Sequence, residues 1–523
     1  MLNEEIKVSL PERGIAYKKV SGKTYVYYVT ETYRNEQGKP TCKRVSIGKL
    51  DEVSNLLIPN RNYYEIYMQK CCPQTGGIRS CGIYHICNEI FKKLGIHSIL
   101  KKYFPESTSA IETVAQYMLS EGNVMYYLED YADTHKIFSD GNINSAQSSR
   151  LFSSIREEEI LLFFREWMKH KKSKEYIAYD VTSISSYSHN MKELEWGYNR
   201  DKEQLPQINI GMYYGEESRL PLYYRIYPGS ISDKAHLKYM VADNEFINAR
   251  KTRFVMDRGF YSADNMKYLT ENGYRFIIAL PGSLKYCSTL IEQHREKIVN
   301  HSEFLLGKDL PYGLATEINE LGFRMKVHIY YDPHKAVQES EAFYQHLEAQ
   351  ENDLRNMHEP PDKKLGYNKY FYINRSKDGG LGFVRNHSAI DEKLRKCGFF
   401  LIAETDFERT TAEILQIYRQ RDTIEKSFDQ LKNELDMKRL YLHGSDALRG
   451  KLFVAFISLI VRSYMMNCLS DYMHANKYTF KKILLELDKI TCLDIPSQKN
   501  SLRQPLSKTQ REIFNLLDIS CIA

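Results

Sequence analysis

A chain of 523 residues, 42% hydrophobic and 27% charged, has room for roughly two to four domains around a large buried core, which excludes a small binding module. Its 73 basic and 67 acidic residues leave a net charge of +6, so any nucleic-acid surface has to be a local patch. Ten cysteines scattered without a C-x2-C pair indicate neither a zinc ribbon nor a disulfide framework, and predict reduced cytosolic thiols. The start, MLNEEIKVSL, has no apolar signal segment. The longest apolar run, Leu452 to Val461, is about half a membrane span, so the expectation is a soluble cytoplasmic protein without a membrane partner.

Residues 14 to 48 alternate apolar and polar positions, as in YVYYVTETY, with turn signals at Ser21-Gly22 and Asn35 to Gly38. This predicts a small antiparallel β-unit within residues 1–75. From Gly82 onward apolar residues recur three and four apart, in ICNEIFKKLGIHSILKKYF, IETVAQYMLSEG, MYYLEDYADTHKIF and REEEILLFFREWMKHKKSK, which predicts a helical region over 76–174. Asp140 to Ser149, DGNINSAQSS, has the composition of a loop. The cluster Lys169, Lys171, Lys172 and Lys174 fits either a grip on DNA phosphates or a solvated helix end.

In YIAYDVTSI, Tyr176 to Ile184, strand alternation puts Asp180 on one face with Ala178 and Thr182. Strands over Gln207 to Tyr214 and Arg219 to Tyr227, joined by GEES, read as an antiparallel hairpin. Asp233 is expected to cap a helix through Arg250, after which RFVMD is a short strand ending at Asp257 with a tight exit at Arg258-Gly259. Ser262 begins another helix, and YRFIIAL closes a β-α-β unit. The resulting order, βββαβαβ over 175–280, is that of an α/β, RNase H-like core, with one acid in the first strand and another at the end of the fourth. Open α/β sheets put their chemistry beyond the carboxyl ends of strands, where Asp257 lies. A carboxylate buried in a strand needs a partner, and a metal is a common one.

Residues 281–405 predict a β-rich insertion, with strands in FRMKVHIYY, YNKYFYI and CGFFLIAET around a charged helix near Ala342 to Met357. Residues 406–450 return to the core through one uninterrupted helix, Ile414 to Leu435, which Thr410 and Glu413 open as a capping box. At about 100° per residue, Ile417, Ile424, Phe428, Leu431 and Leu435 form a packing stripe, with Tyr418, Arg421, Glu425 and Lys432 immediately beside it. A carboxylate flanked by a phenol, a guanidinium and an ammonium suits a site holding a divalent metal and a phosphate backbone together. The same stripe also fits a solvated helix edge. Residues 451–523 read as helical, with Leu452 to Met466 in the core and a DNA or dimer contact open for Lys481 to Asp488.

Tyr418-x2-Arg421-x3-Glu425-x6-Lys432 resembles the Y-R-E-K signature of DDE transposases from bacterial insertion sequences, in the branch with a β-rich insertion before the last acid. The resemblance implies that Asp180 in YDVTS, Asp257 in DRGFYS and Glu425 are the catalytic acids and hold two Mg2+ ions, with Mn2+ as a substitute. It further implies DNA contacts from Tyr418, Arg421, Lys432 and Arg258, and cut-and-paste transposition by a homodimer on double-stranded DNA, at terminal inverted repeats and a target, in a bacterial cytoplasm. Some relatives stack a displaced base on a Trp of the insertion. Here Trp167 and Trp196 lie outside it, so a Tyr or Phe has to serve. The alternatives are a structure-selective nuclease on the same fold and a non-catalytic DNA-binding derivative. Ser/His hydrolysis by SISSYSH around His189 lacks a nucleophile elbow.

Overall fold

The computed structural model describes residues 7–11, 13–34, 38–68, 78–141, 143–188, 191–199, 203–249, 251–307, 311–357, 359, 361, 366–375, 381–442, 444–493, 502–503 and 505–520. The N-terminal alternation folds into a four-stranded antiparallel meander of β1 (Ile15–Val20), β2 (Lys23–Arg34), β3 (Pro40–Asp51) and β4 (Leu56–Pro59). Val20 pairs with Lys23, which leaves Ser21 and Gly22 as a two-residue loop with φ of +50° and +77°. Positive φ at both positions is what a tight hairpin with right-handed strand twist requires. Val26, Ile47, Leu57 and Tyr63 give this sheet a core of its own. Of the Asn35 to Gly38 turn signal, residues 35–37 lie outside the described residues.

After β5 (Ile78–Ser80) come six helices: α1 (Gly82–Lys93), α2 (Ile96–Tyr103), α3 (Thr108–Glu121), α4 (Leu128–Thr134), α5 (Ser145–Ser154) and α6 (Glu157–Trp167). The stretch expected as a loop through Ser149 is helical from Ser145, because its polar residues are cap chemistry. Gln147 N–H donates to Asn144 Oδ1 at 3.0 Å and Asn144 N–H to Gln147 Oε1 at 2.9 Å.

The central sheet begins with β6 (Tyr176–Ser185), β7 (Gln207–Gly215) and β8 (Pro221–Pro228), paired antiparallel. Helix α7 (Asp233–Ala242), β9 (Arg253–Met256), α8 (Ala263–Glu271) and β10 (Arg275–Ala279) follow, with β9 parallel to both β6 and β10. The strand order β8-β7-β6-β9-β10, with helical crossovers before the last two strands, is the RNase H-like core. Ser232, not Asp233, caps α7, and the helix stops at Ala242 where Asp243 is held by Tyr223 and Arg225 of β8. Arg250, its expected end, lies outside the described residues.

Residues 281–405 fold as α9 (Lys285–Asn300), β11 (Tyr312–Ile318), β12 (Met325–Tyr331), α10 (Pro333–Asn356), β13 (Phe371–Arg375), β14 (Leu381–Arg385), α11 (His387–Arg395) and β15 (Phe399–Glu404). Three of these strands do not make a sheet of their own. They extend the central one to eight strands, β11-β12-β15-β10-β9-β6-β7-β8, with β15 antiparallel to β10. The edge of β10 offers unpaired backbone groups, and the apolar CGFFLIAET supplies the strand that covers them. The β13–β14 hairpin stands apart and shares a small core with α10 and α11 around Phe343, Leu347, Phe371 and Ile390.

The chain ends with α12 (Thr411–Gln420), α13 (Asp422–Asp429), α14 (Asp446–Asn476), α15 (Phe480–Asp488), β16 (Thr491–Leu493), β17 (Leu502–Arg503) and α16 (Lys508–Leu516), and β16 pairs with β5. By length and composition α14 could cross a membrane, with mean hydropathy 1.8 over its most apolar 18 residues, but 78% of that window is buried inside the protein. It is the core helix between the N-terminal helices and β8, with Phe453 against Phe163 and Phe456 against both Phe164 and Tyr224. Gly450 is where α14 meets α5, and a Cβ there would sit 2.1 Å from the Phe152 carbonyl oxygen. Gly450→Ala is therefore expected to cost about 1–3 kcal/mol through forced separation of the two helices, read as a lower midpoint in thermal or urea unfolding.

Candidate active site

Two of the predicted acids meet through strand register. Tyr176 to Tyr179 of β6 pair in order with Arg253 to Met256 of β9, in parallel. The next residue on each strand is Asp180 and Asp257, and Asp257 keeps extended backbone (φ −74°, ψ 161°). They therefore stand abreast on neighbouring strands, about 4.8 Å apart in the backbone. Asp180 is buried, and Asp257 is half-buried at the open end.

The third acid arrives on a helix pinned at the other end of the same strands. Asp406 Oδ2 accepts from Tyr176 Oη at 2.9 Å and pairs with Arg253 Nη1 at 2.8 Å, at the first residues of β6 and β9. Beside it Glu404, fully buried, accepts from Phe407 N–H at 2.7 Å and faces His328 at 3.7 Å. Burial opposes its charge, but His328 and the two backbone N–H groups outweigh that and hold its pKa below the usual value. Thr410 and Glu413 then form the expected capping box. From Thr411 to Arg421 a helix rises about 15 Å, and β6 needs about 13 Å from Tyr176 to Asp180. The helix thus reaches the acids as its own length requires.

There Tyr418 Oη donates to Asp257 Oδ1 at 3.2 Å. Arg421 Nη1 lies 2.8 Å from Glu425 Oε1 and 3.5 Å from Asp180 Oδ2, and its guanidinium sits 5.7 Å from the Tyr418 ring centroid. Burial works against the Arg421 charge, but Tyr418, Asp180, Glu425 and Asp257 together outweigh it and raise its pKa. Burial, then the Asp257 charge, likewise pushes the Tyr418 phenol up. Arg421 thus pairs with Asp180 and Glu425, and Tyr418 reaches the remaining acid, Asp257. Among the described residues no three carboxylate, His or Cys groups already stand close enough to enclose a metal ion, and Glu425 remains 55% exposed.

The helix is not continuous through Leu435. Arg421 N–H bonds to Tyr418 O and Ile424 N–H to Arg421 O, which tightens the turn at Arg421. Residues Gln430–Glu434 then open into a π-helical turn closed by Leu435 N–H to Gln430 O at 2.9 Å. An extra residue in a turn rotates the residues downstream of it by about 100°. Lys432, placed by regular periodicity beside Glu425, is accordingly buried, while Arg258 beside Asp257 is exposed. The packing stripe survives: Ile424, Phe428, Leu431 and Leu435 are buried and Ile417 is half-buried. Trp167 is a core residue donating to the Pro221 carbonyl, Trp196 is exposed on the loop after β6, and His189 lies outside the described residues.

Sequence reasoning missed the anchors Glu404 and Asp406, though an acid closing an apolar strand was the same signal that marked Asp257. It also missed Glu216, buried behind α13 with neither carboxylate oxygen hydrogen-bonded among the described residues. Glu216 lines a cavity of about 240 Å³ with Arg219, Thr423 and Lys426. Burial and the Glu175 charge, against the pull of Arg421, push its pKa up to about 8. The folded state therefore holds this proton more tightly than the unfolded chain. The stability it contributes is complete below the ordinary glutamate range and is lost as pH rises toward 8. Glu216→Gln is expected to remove that loss, so its unfolding midpoint exceeds the wild type's by a growing margin from pH 5 to 8, worth up to a few kcal/mol.

Among solved structures, the cryo-EM synaptic complex of the piggyBac transposase with hairpin DNA is similar at 10% identity, covering 77% of this chain and 70% of that chain, with a TM-score of 0.34. No curated protein matches the chain. The family profile described as the transposase DDE domain matches residues 171–461, from the approach to β6 through the first half of α14, and takes in Asp180, Asp257 and Glu425. The chain belongs to the DDE transposase family.

Proposed function

We propose that this transposase moves DNA by a metal-dependent cut-and-paste reaction in which Asp180, Asp257 and Glu425 are the catalytic acids. The observation that supports it most is that Arg421 links Asp180 to Glu425 while Tyr418, three residues before it, bonds to Asp257, at the carboxyl ends of β6 and β9. An all-carboxylate donor set fits Mg2+ or Mn2+, both of which take oxygen ligands, and Asp180, Asp257 and Glu425 are the residues that would hold them. Bound there, a pair of such ions supplies activation of a water or DNA 3'-hydroxyl and stabilisation of the leaving oxygen.

The chain's own groups set the stage for that chemistry. Tyr418 orients the Asp257 carboxylate by donating to one of its oxygens. Arg421 neutralises Asp180 and Glu425 and, once those acids held metal, would be left to pair with a DNA phosphate. Arg258, exposed beside Asp257, is a second phosphate contact, while Lys432 is buried in the packed helix. The partners in this reading are double-stranded DNA with terminal inverted repeats and a target duplex, engaged by a homodimer in the cytoplasm.

Asp180→Asn, Asp257→Asn and Glu425→Gln should each lower Mg2+-dependent cleavage of a duplex carrying the element's ends by more than about 100-fold, since second-sphere losses alone cost that much. End binding in a gel-shift assay should persist. Cleavage at the wild-type rate by any of the three overturns the assignment. Tyr418→Phe, which removes only the hydrogen bond to Asp257, should slow the same reaction by about 10–100-fold.

A further inference from the structure

We infer that the outward face of the N-terminal sheet is a second DNA surface, built to hold the phosphate backbone of a duplex without reading its sequence. Charge points to it first. Residues 15–59, which span β1 to β4, contain eight Lys or Arg and four Asp or Glu, a net of +4 in a chain whose net charge is +6, so most of the positive excess sits in this one sheet. Register then places the cations. Lys18 of β1 pairs with Tyr25 of β2, and Tyr25 with Lys49 of β3. Residues directly opposite one another share a face, so the three side chains form a row across the sheet. The opposite face carries Val26, Ile47 and Leu57 into the small core.

The cations are held in place by rings. Lys49 Nζ lies 5.8 Å from the Tyr25 ring centroid and Arg44 Cζ 5.8 Å from that of Tyr27. Lys18, Arg44 and Lys49 are all exposed, and among the described residues none of the three is paired with an acid. Cations ordered before binding lose less freedom when they meet phosphates. The covering cations also occupy the ring faces on which unpaired bases would stack. The surface therefore suits a continuous backbone, which a duplex presents, and it lies on residues separate from those around Asp180.

The test measures binding by the full-length protein to a 30-base-pair duplex of arbitrary sequence, without divalent metal, so that it stands apart from any failure of the catalytic assignment. In fluorescence anisotropy across 50 to 200 mM salt, Lys18→Gln/Arg44→Gln/Lys49→Gln should weaken binding at least about 10-fold at low salt and reduce the log–log salt slope by about 2–3. Lys18→Arg/Lys49→Arg, which keeps the charge, should bind as the wild type does. Unchanged affinity and slope in the triple variant overturn the proposal. So does tighter wild-type binding to a single strand of the same length, or weakened binding when the charge is kept.

Discussion

The parallel pairing of β6 with β9 is the constraint that creates the site. With Tyr179 opposite Met256, the next positions can only be Asp180 and Asp257 abreast. A slip of one residue would turn one acid to the opposite face of the sheet. The pairing brings a cost, because two carboxylates on neighbouring strands of a partly buried site repel when both are charged. Tyr418 and Arg421 are the answer visible in the fold, one donating to Asp257 and the other paired with Asp180. The sheet makes the site, and the helix makes it tolerable.

That helix depends in turn on the segment that interrupts the core. Glu404 is the last residue of β15, which reaches its place only by pairing with both β10 and β12. Its carboxylate receives the backbone of the following turn, and Asp406 in that turn is fastened to Tyr176 and Arg253. The inserted residues are thus part of the mechanical support of Glu425 as well as a region between the second and third acids. A helix held at its start by buried charge pairs and a capping box delivers its far end with little freedom, which is what a site sensitive to small displacements demands.

Much of this was legible in the chain. Strand alternation around Asp180, the apolar strand ending at Asp257, the Thr410–Glu413 cap and the stripe from Ile424 to Leu435 all rest on local periodicity and cap chemistry, which short windows carry. What the windows hid was long-range or irregular. That CGFFLIAET joins the central sheet is decided by which edge is open, a property of the assembled sheet. The burial of Lys432 comes from a π-turn at Gln430–Glu434, where regular spacing fails. The helix start at Ser145 was hidden because Asn, Ser and Gln favour loops and caps alike, and only the reciprocal bonds of Asn144 and Gln147 separate the two.

Arg421 shows why the tight turn falls where it does. Its Nε is buried and makes no hydrogen bond among the described residues, while Nη1 serves two acids. An unsatisfied buried donor costs about 1–3 kcal/mol, and folding alone gives no return for it. A guanidinium placed only to neutralise Asp180 and Glu425 could have used its full fork of donors on them. One that leaves its Nε unused between two carboxylates keeps a donor for the phosphate contact proposed for it. On that account the incomplete hydrogen bonding at the centre of the site is what the proposed phosphate contact calls for, and not a packing defect.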